Sequence, residues 1–214
     1  MGSELIFKVI LIAEYSIFSV IRIRNQRSVQ KADYRTVIEE SKKYSTLLAL
    51  LICYEVLTLF LYLLYPESII WAAVSMPLLL RWLGVIFGLL ALLLFAWVHR
   101  NLGENFSIKL KIKDKQNLVV TGPYRWVRHP MYTAFYLLHI AAFFLTANWF
   151  IGVTWLIGLS IIVVSKVKRE EAMLLEIFGD EYSAYMERTG RLIPLLKRPP
   201  FYRETKNSGK SSTY

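Results

Sequence analysis

Cysteine is almost missing from this chain: Cys53 is the only one in 214 residues. A single thiol excludes an internal disulfide, and its position inside an apolar run reads as inert packing. Histidine is nearly as scarce. His99, His129 and His139 stand far apart, with no HExxH pattern and no Cys/His cluster, so the sequence offers no metal site. Acidic residues are outnumbered, 16 against 26 Lys and Arg, for a net charge of +10. That excess does not point to nucleic acid. It lies between and after apolar runs, and no nucleic-acid fold signature accompanies it.

What the chain has in abundance is apolar residues, 55 % of the total, with a mean hydropathy of +0.40. They gather into runs, and the runs decide the class. The first covers residues 5–23, about the length that crosses a bilayer. It carries Lys8 and Glu14, and intramembrane charge is costly, so Glu14 is expected to face and pair with another helix. A polar connection, 22–43, leads to a second run, 47–65, that contains Glu55 and stops at Pro66. A short link, 67–77, precedes the third run, 78–99. Residues 107–128 form a basic loop with a short extended piece at 118–120. Runs 131–146 and 149–165 follow, separated by a tight turn at Thr146, Ala147 and Asn148. Each of these two would reach only roughly 25 Å as a helix, slightly under the hydrocarbon thickness of ~30 Å. The expectation is an all-α integral membrane protein of about five transmembrane helices, the last two a short helical hairpin.

Positive charge orients it. Seven Lys and Arg fall in 22–43, seven in 100–128 and ten from Lys166 onward, which leaves only Lys8 and Arg81 for the other side. The positive-inside rule then puts the loop and C-terminus on the cytoplasmic face and the N-terminus opposite. Three parts are expected: 1–77 as N-terminal helices with their basic loop, 78–194 as a core carrying the site, and 195–214 as a basic, disordered tail.

Two stretches carry chemistry. Residues 122–132 read Gly-Pro-Tyr-Arg-Trp-Val-Arg-His-Pro-Met-Tyr. Gly122-Pro123 is a turn signal, and Pro130 suits the first turn of a helix, where its missing N–H has no partner anyway. Arg128 and His129 therefore stand where a polar loop meets a membrane helix, beside Tyr124 and Tyr132. A helix start favours an anion; an interfacial aromatic–basic anchor is the alternative. The second stretch extends the fifth run inward. Gly179 ends that helix, Asp180 N-caps a shorter one to about Arg188, and Gly190 closes it. Lys166 and Glu170 share a helical face. Glu170 and Glu171 point about 100° apart, so only one should face a given pocket. Glu170 is expected there, and Glu171 on a more solvated face.

At these two stretches the sequence resembles the isoprenylcysteine carboxyl methyltransferase family, membrane methyltransferases related to phospholipid methyltransferases. Arg128-His129-Pro130-Met131-Tyr132 matches the family's Arg-His-Pro-x-Tyr. Leu118, Val119, Gly122 and Tyr124 match its lead-in, and Glu170-Glu171 with Phe178-Gly179-Asp180-Glu181-Tyr182 match its acidic pair and following run. Leu102-Gly103 with Asn105-Phe106-Ser107 is similar to its Leu-Gly-x-x-Trp-Ser segment, with Phe for Trp. The resemblance covers about 81–194 and implies S-adenosyl-L-methionine as cofactor, held in a cytoplasmic loop and C-terminal helices. It implies cofactor contacts at Gln116, Leu118, Val119, Tyr124, His129, Pro130, Tyr132 and Glu170, with Arg128 and Lys166 as catalytic candidates and no metal. A lipophilic or prenylated acceptor would enter from the bilayer. Relatives that methylate prenylcysteine have arginine where this chain has Lys166, which leaves other lipophilic acceptors open. Two alternatives stand beside this one: an NADPH-dependent membrane reductase of the sterol-reductase type, and a non-catalytic membrane protein.

Overall fold

The computed structural model describes residues 2–30, 42–102 and 118–195. Six α-helices carry it: α1 (Gly2–Gln30), α2 (Lys42–Leu64), α3 (Leu78–Leu102), α4 (Pro130–Thr146), α5 (Trp149–Phe178) and α6 (Asp180–Arg188). Among the described residues there is no β-strand, only two isolated bridges. Residues 118–120, expected to be extended, join no sheet; the backbone pairing near the site is instead a parallel bridge of Val127 with Gly190.

Thr46–Leu64, Leu78–Asn101 and Trp149–Phe178 are long and apolar enough to cross a membrane, and Pro130–Thr146 is a shorter apolar helix. Large apolar side chains cover their outer surfaces: Val56, Leu79 and Leu93 are exposed, as lipid-facing residues are. The chain is a helical membrane protein. Helix α5, at 30 residues, would measure about 45 Å. Its apolar part ends at Ser165, and the segment from Lys166 onward is rich in charge.

Local chemistry sets the helix ends. Pro66 stops α2 and starts a 3-10 turn, Pro66–Ser68. Pro130 opens α4, with His129 at its N-cap position. The α4–α5 turn needs Ala147 in the left-handed region, φ 46°. There its N–H caps the Phe143 carbonyl. Asn148 N-caps α5 by accepting from the Ile151 N–H at 3.1 Å, and its amide donates to the Ile69 carbonyl at 3.0 Å. The link after α2 is thereby tied to the hairpin turn. At the other end Gly179, not Asp180, is the N-cap of α6; Asp180 lies in the first turn and makes no cap bond.

Helices α3 and α4 form the centre, with α1 and α5 against them. Phe18, Ala91, Phe95, Ala134 and Leu138 make one buried cluster; Phe7, Leu11, Leu145, Ile151 and Trp155 lie in another. Small residues let the helices approach. A Cβ on Gly84 would lie 2.8 Å from the Phe144 Cβ. Polar groups inside the bundle mostly find each other. Trp155 donates to Thr58 at 2.8 Å, Tyr54 to Thr154 at 2.8 Å, and His139 sits 3.2 Å from Glu55. Glu14 departs from expectation. It is buried, but neither carboxyl oxygen has a hydrogen-bond partner. Its carboxyl lies flat over Gly88 of α3, where a Cβ would come within 2.0 Å of it.

Candidate functional site

The site forms where the N-terminus of α4 meets the C-terminal half of α5. Residues Gly122–Arg125 make a 3-10 turn. Gly122 takes φ 58°, and a Cβ there would lie 2.2 Å from the Asn101 amide oxygen, so both conformation and space call for glycine. The turn passes Tyr124 and Val127 into Arg128 and His129. A strap from beyond α6 then crosses this entry. The Gly190 and Arg191 carbonyls accept the Arg128 and His129 N–H groups at 2.8 and 3.0 Å. The Leu192 carbonyl accepts the Thr133 hydroxyl at 2.7 Å, and Tyr185 donates to the Tyr124 carbonyl at 2.6 Å.

Two carboxylates from distant positions, Glu170 and Glu171, flank the His129 ring, and Glu171 is held in turn by the adjacent Arg128 and the distant Arg191. Glu171 is buried and accepts from Arg128 Nε at 3.0 Å, from Arg191 Nε at 3.1 Å and from Arg191 Nη2. Arg128 also donates to the Met186 and Thr189 carbonyls. Glu170 accepts from the Tyr132 hydroxyl at 2.7 Å and keeps 39 % of its side chain exposed. The His129 ring lies between the two carboxylates, with Nδ1 3.5 Å from Glu170 and Nε2 3.4 Å from Glu171.

This corrects the expectation for the acidic pair. Glu171 does not face solvent; it is the more buried of the two. The 100° between neighbours on a helix is real, but an imidazole with nitrogens on opposite edges bridges both. The strap also supplies a cation to the face taken as solvated.

Charge follows from this packing. Burial pushes the Glu171 carboxyl up, but hydrogen bonds from Arg191 and Arg128 outweigh it and hold the group below the usual carboxylate range. The same contact with Glu171 raises Arg191. Burial, then the neighbouring Tyr185 and Glu170, raises the Tyr124 phenol, so it stays protonated as a donor. Burial, with Glu171 adding to it, pushes Tyr182 up to about 12.

Of the residues singled out in the sequence, Arg128, His129, Pro130, Tyr132 and Glu170 come together here, with Tyr124 at the edge. Leu118 and Val119 lie just before the turn. Lys166 stands one helical turn before Glu170 and is engaged by a neighbour. Gln116 and the 103–107 motif lie outside the described residues. Sequence reasoning missed Arg191, Tyr185 and Thr189, since nothing in their spacing ties them to residues 20 to 60 positions away.

Residues 82–176 match a known family, described as the isoprenylcysteine carboxyl methyltransferase (ICMT) family. The chain resembles the ICMT family in sequence and in fold. It is 29 % identical over 97 residues to human protein-S-isoprenylcysteine O-methyltransferase, covering 44 % of this chain and 34 % of that protein. Against the Saccharomyces cerevisiae protein of the same name the figures are 33 % over 96 residues, 44 % and 40 %. A methanethiol S-methyltransferase of Pseudomonas deceptionensis is 36 % identical over 78 residues, covering 36 % and 28 %. The matched stretch thus spans about a third of the length of these curated relatives. The solved structure of a eukaryotic intramembrane Ras methyltransferase of the ICMT type superposes with a TM-score of 0.53 and 24 % identity, covering 86 % of this chain and 63 % of that one. The fold is therefore that of an ICMT-type membrane protein. Arg191 and the whole strap lie beyond residues 82–176 of the family match.

The donor set fits the cofactor that such a family uses. S-adenosyl-L-methionine carries a sulfonium, an ammonium and a carboxylate. Glu170 offers an accessible carboxylate for a cation, and Tyr132 and Tyr124 offer aromatic faces. The start of α4 offers backbone donors to an anion.

Proposed function

We propose that this protein is an S-adenosyl-L-methionine-dependent methyltransferase acting at the membrane on the carboxylate of a prenylated cysteine or a similar lipophilic acceptor. The observation that supports it most directly is the unequal acidic pair: Glu171 neutralised and buried, Glu170 accessible and set by Tyr132 and His129. The cofactor supplies an electrophilic methyl carbon on a sulfonium. Bound there, it would give that methyl to the acceptor oxygen, the new C–O bond replacing the C–S bond and the thioether leaving. No general base is needed for an acceptor that is already a carboxylate, so positioning dominates. Glu170 neutralises a cationic part of the cofactor, and His129 with Tyr132 orients it. Tyr124, Pro130, Leu118 and Val119 line the adenine end. Lys166, nearer the bilayer on the face of Glu170, meets the acceptor carboxylate. Arg128, whose donors go to Glu171 and to two carbonyls, builds the site and does not touch the acceptor.

The orientation proposed is five spans, α1 to α5, with the site and C-terminus cytoplasmic, on the strength of the Lys and Arg distribution. An acceptor anchored in lipid then reaches Lys166 from the bilayer while the polar cofactor arrives from the aqueous side.

Titration calorimetry of the purified protein with S-adenosyl-L-methionine and with NADPH tests this reading, followed by methyl transfer to N-acetyl-S-farnesylcysteine. Saturable binding of the first alone, with methyl ester formed, is expected. NADPH binding would replace the reading with a reductase. Cofactor binding with transfer only to a small thiol would keep the methyltransferase and overturn the acceptor, an outcome made concrete by the similarity to methanethiol S-methyltransferase.

A further inference from the structure

We propose that Arg191 is a positioning residue of this site, fixing the Glu171 carboxylate so that Glu171 in turn fixes the ring of His129. The proposal rests on the methyltransferase reading above, and its test is built so that the two can fail separately.

Arg191 holds His129 at two points. Its backbone carbonyl accepts the His129 N–H at 3.0 Å. Its guanidinium engages both oxygens of Glu171, Nε on Oε1 at 3.1 Å and Nη2 on Oε2. The oxygen it shares with Arg128 Nε, Oε1, is the one that stands 3.4 Å from His129 Nε2. A carboxylate pinned from two sides by guanidinium groups cannot rotate to follow the imidazole, so the imidazole must orient to it. The Nε2 edge is thereby set on Glu171, and the Nδ1 edge is turned toward Glu170, 3.5 Å away.

The strap is shaped to make this hold. A Cβ on Gly190 would lie 1.7 Å from the Ile193 carbonyl oxygen, so the turn that aims Arg191 closes only around glycine. Thr189, buried, donates to the Tyr185 carbonyl, which anchors the strap to α6. The forked geometry matters as well as the charge, because lysine would supply one donor direction where arginine supplies two. As an isolated ion pair Arg191 would contribute little, since half of its side chain is exposed. Its effect should therefore appear at His129 more than in stability.

The test uses the full chain in detergent, with Arg191→Gln, Arg191→Lys and, as control, Arg188→Gln on exposed α6. Three quantities are measured: the 15N signals of the His129 ring without ligand, the S-adenosyl-L-methionine affinity, and thermal unfolding. Arg191→Gln should change the ring signals and raise Kd roughly tenfold, equivalent to 1.4 kcal/mol. Arg191→Lys should recover only part of this, and Arg188→Gln should do nothing. In the Glu171→Gln background, adding Arg191→Gln should have no further effect on Kd. Unchanged ring signals and affinity with a lowered unfolding temperature would overturn the proposal, as would full recovery with lysine or additivity with Glu171→Gln. If Arg191→Gln does not fold, Arg191→Lys decides by the same readouts. If the wild type binds no S-adenosyl-L-methionine, the methyltransferase reading falls, and the ring signals still judge Arg191.

Discussion

Glu170 and Glu171 are neighbours of the same chemical type, and replacing each by glutamine should break different things. Glu171 has 6 % of its side chain exposed and its partner Arg128 9 %. Removing one member of a buried ion pair costs about 3–5 kcal/mol, because the other charge is left buried. The second partner, Arg191, is half exposed, so its share is discounted to less than ~1 kcal/mol. Glutamine retains one oxygen that can still accept from Arg128, which places Glu171→Gln near the lower end, about 3 kcal/mol of stability. Glu170 is 39 % exposed, and a glutamine oxygen still accepts from Tyr132. Its stability cost should stay below ~1 kcal/mol. On the proposed function, cofactor affinity should reverse the order: losing the Glu170 charge should cost on the order of 2 kcal/mol, about thirtyfold in Kd. Equilibrium unfolding and cofactor titration of both variants in one detergent make the comparison. A Glu170→Gln variant that unfolds more easily than Glu171→Gln would refute the reasoning.

Acid should act on the same contact. Glu171 lies below its ordinary value of 4.5 in the folded protein, so its contribution is complete above that value and fades as pH falls through the lower folded value. Unfolding followed from pH 6 downward should therefore show a steeper loss in the wild type than in Glu171→Gln. Asn148→Ala removes the cap of α5, worth about 1 kcal/mol, and its tie to the Ile69 carbonyl, about 1 kcal/mol more, since that carbonyl keeps the Ala72 N–H; thermal unfolding should fall accordingly. Gly122→Ala meets both φ 58° and the Asn101 amide, and about 1–3 kcal/mol of strain should appear in the same assay. Lys166→Ala should raise the KM for a carboxylate acceptor while cofactor affinity holds; equal losses in both would make Lys166 a structural contact.

Local signals carried the helix positions. Pro66, Pro130 and Gly179 mark ends that hold in three dimensions, because the missing N–H of proline and the permissive φ of glycine act within a turn of the chain. The motif around His129 was legible for the same reason. The environment of Glu171 was not. Helical periodicity reports which side chains share a face and is silent on what a later segment lays against the opposite face. Arg191 arrives 20 residues downstream on a strap whose shape depends on one glycine. Glu14 shows the converse error: a buried charge was assigned a partner, and what it met was the bare backbone of Gly88.

That contact between Glu14 and Gly88 has a consequence for how the molecule can be altered. Gly88 falls within residues 82–176, and Glu14 lies far outside them, in a helix the sequence marks as a span with one buried carboxylate. The two fit as key and keyway. A generic leucine-rich span substituted for α1 would either leave a furrow along α3 or press a branched side chain into it, and either change would move Phe18 against Phe95 and Phe135, the rings that back α4. Grafting the N-terminal helix of a relative onto this core should therefore succeed only when α3 is exchanged with it.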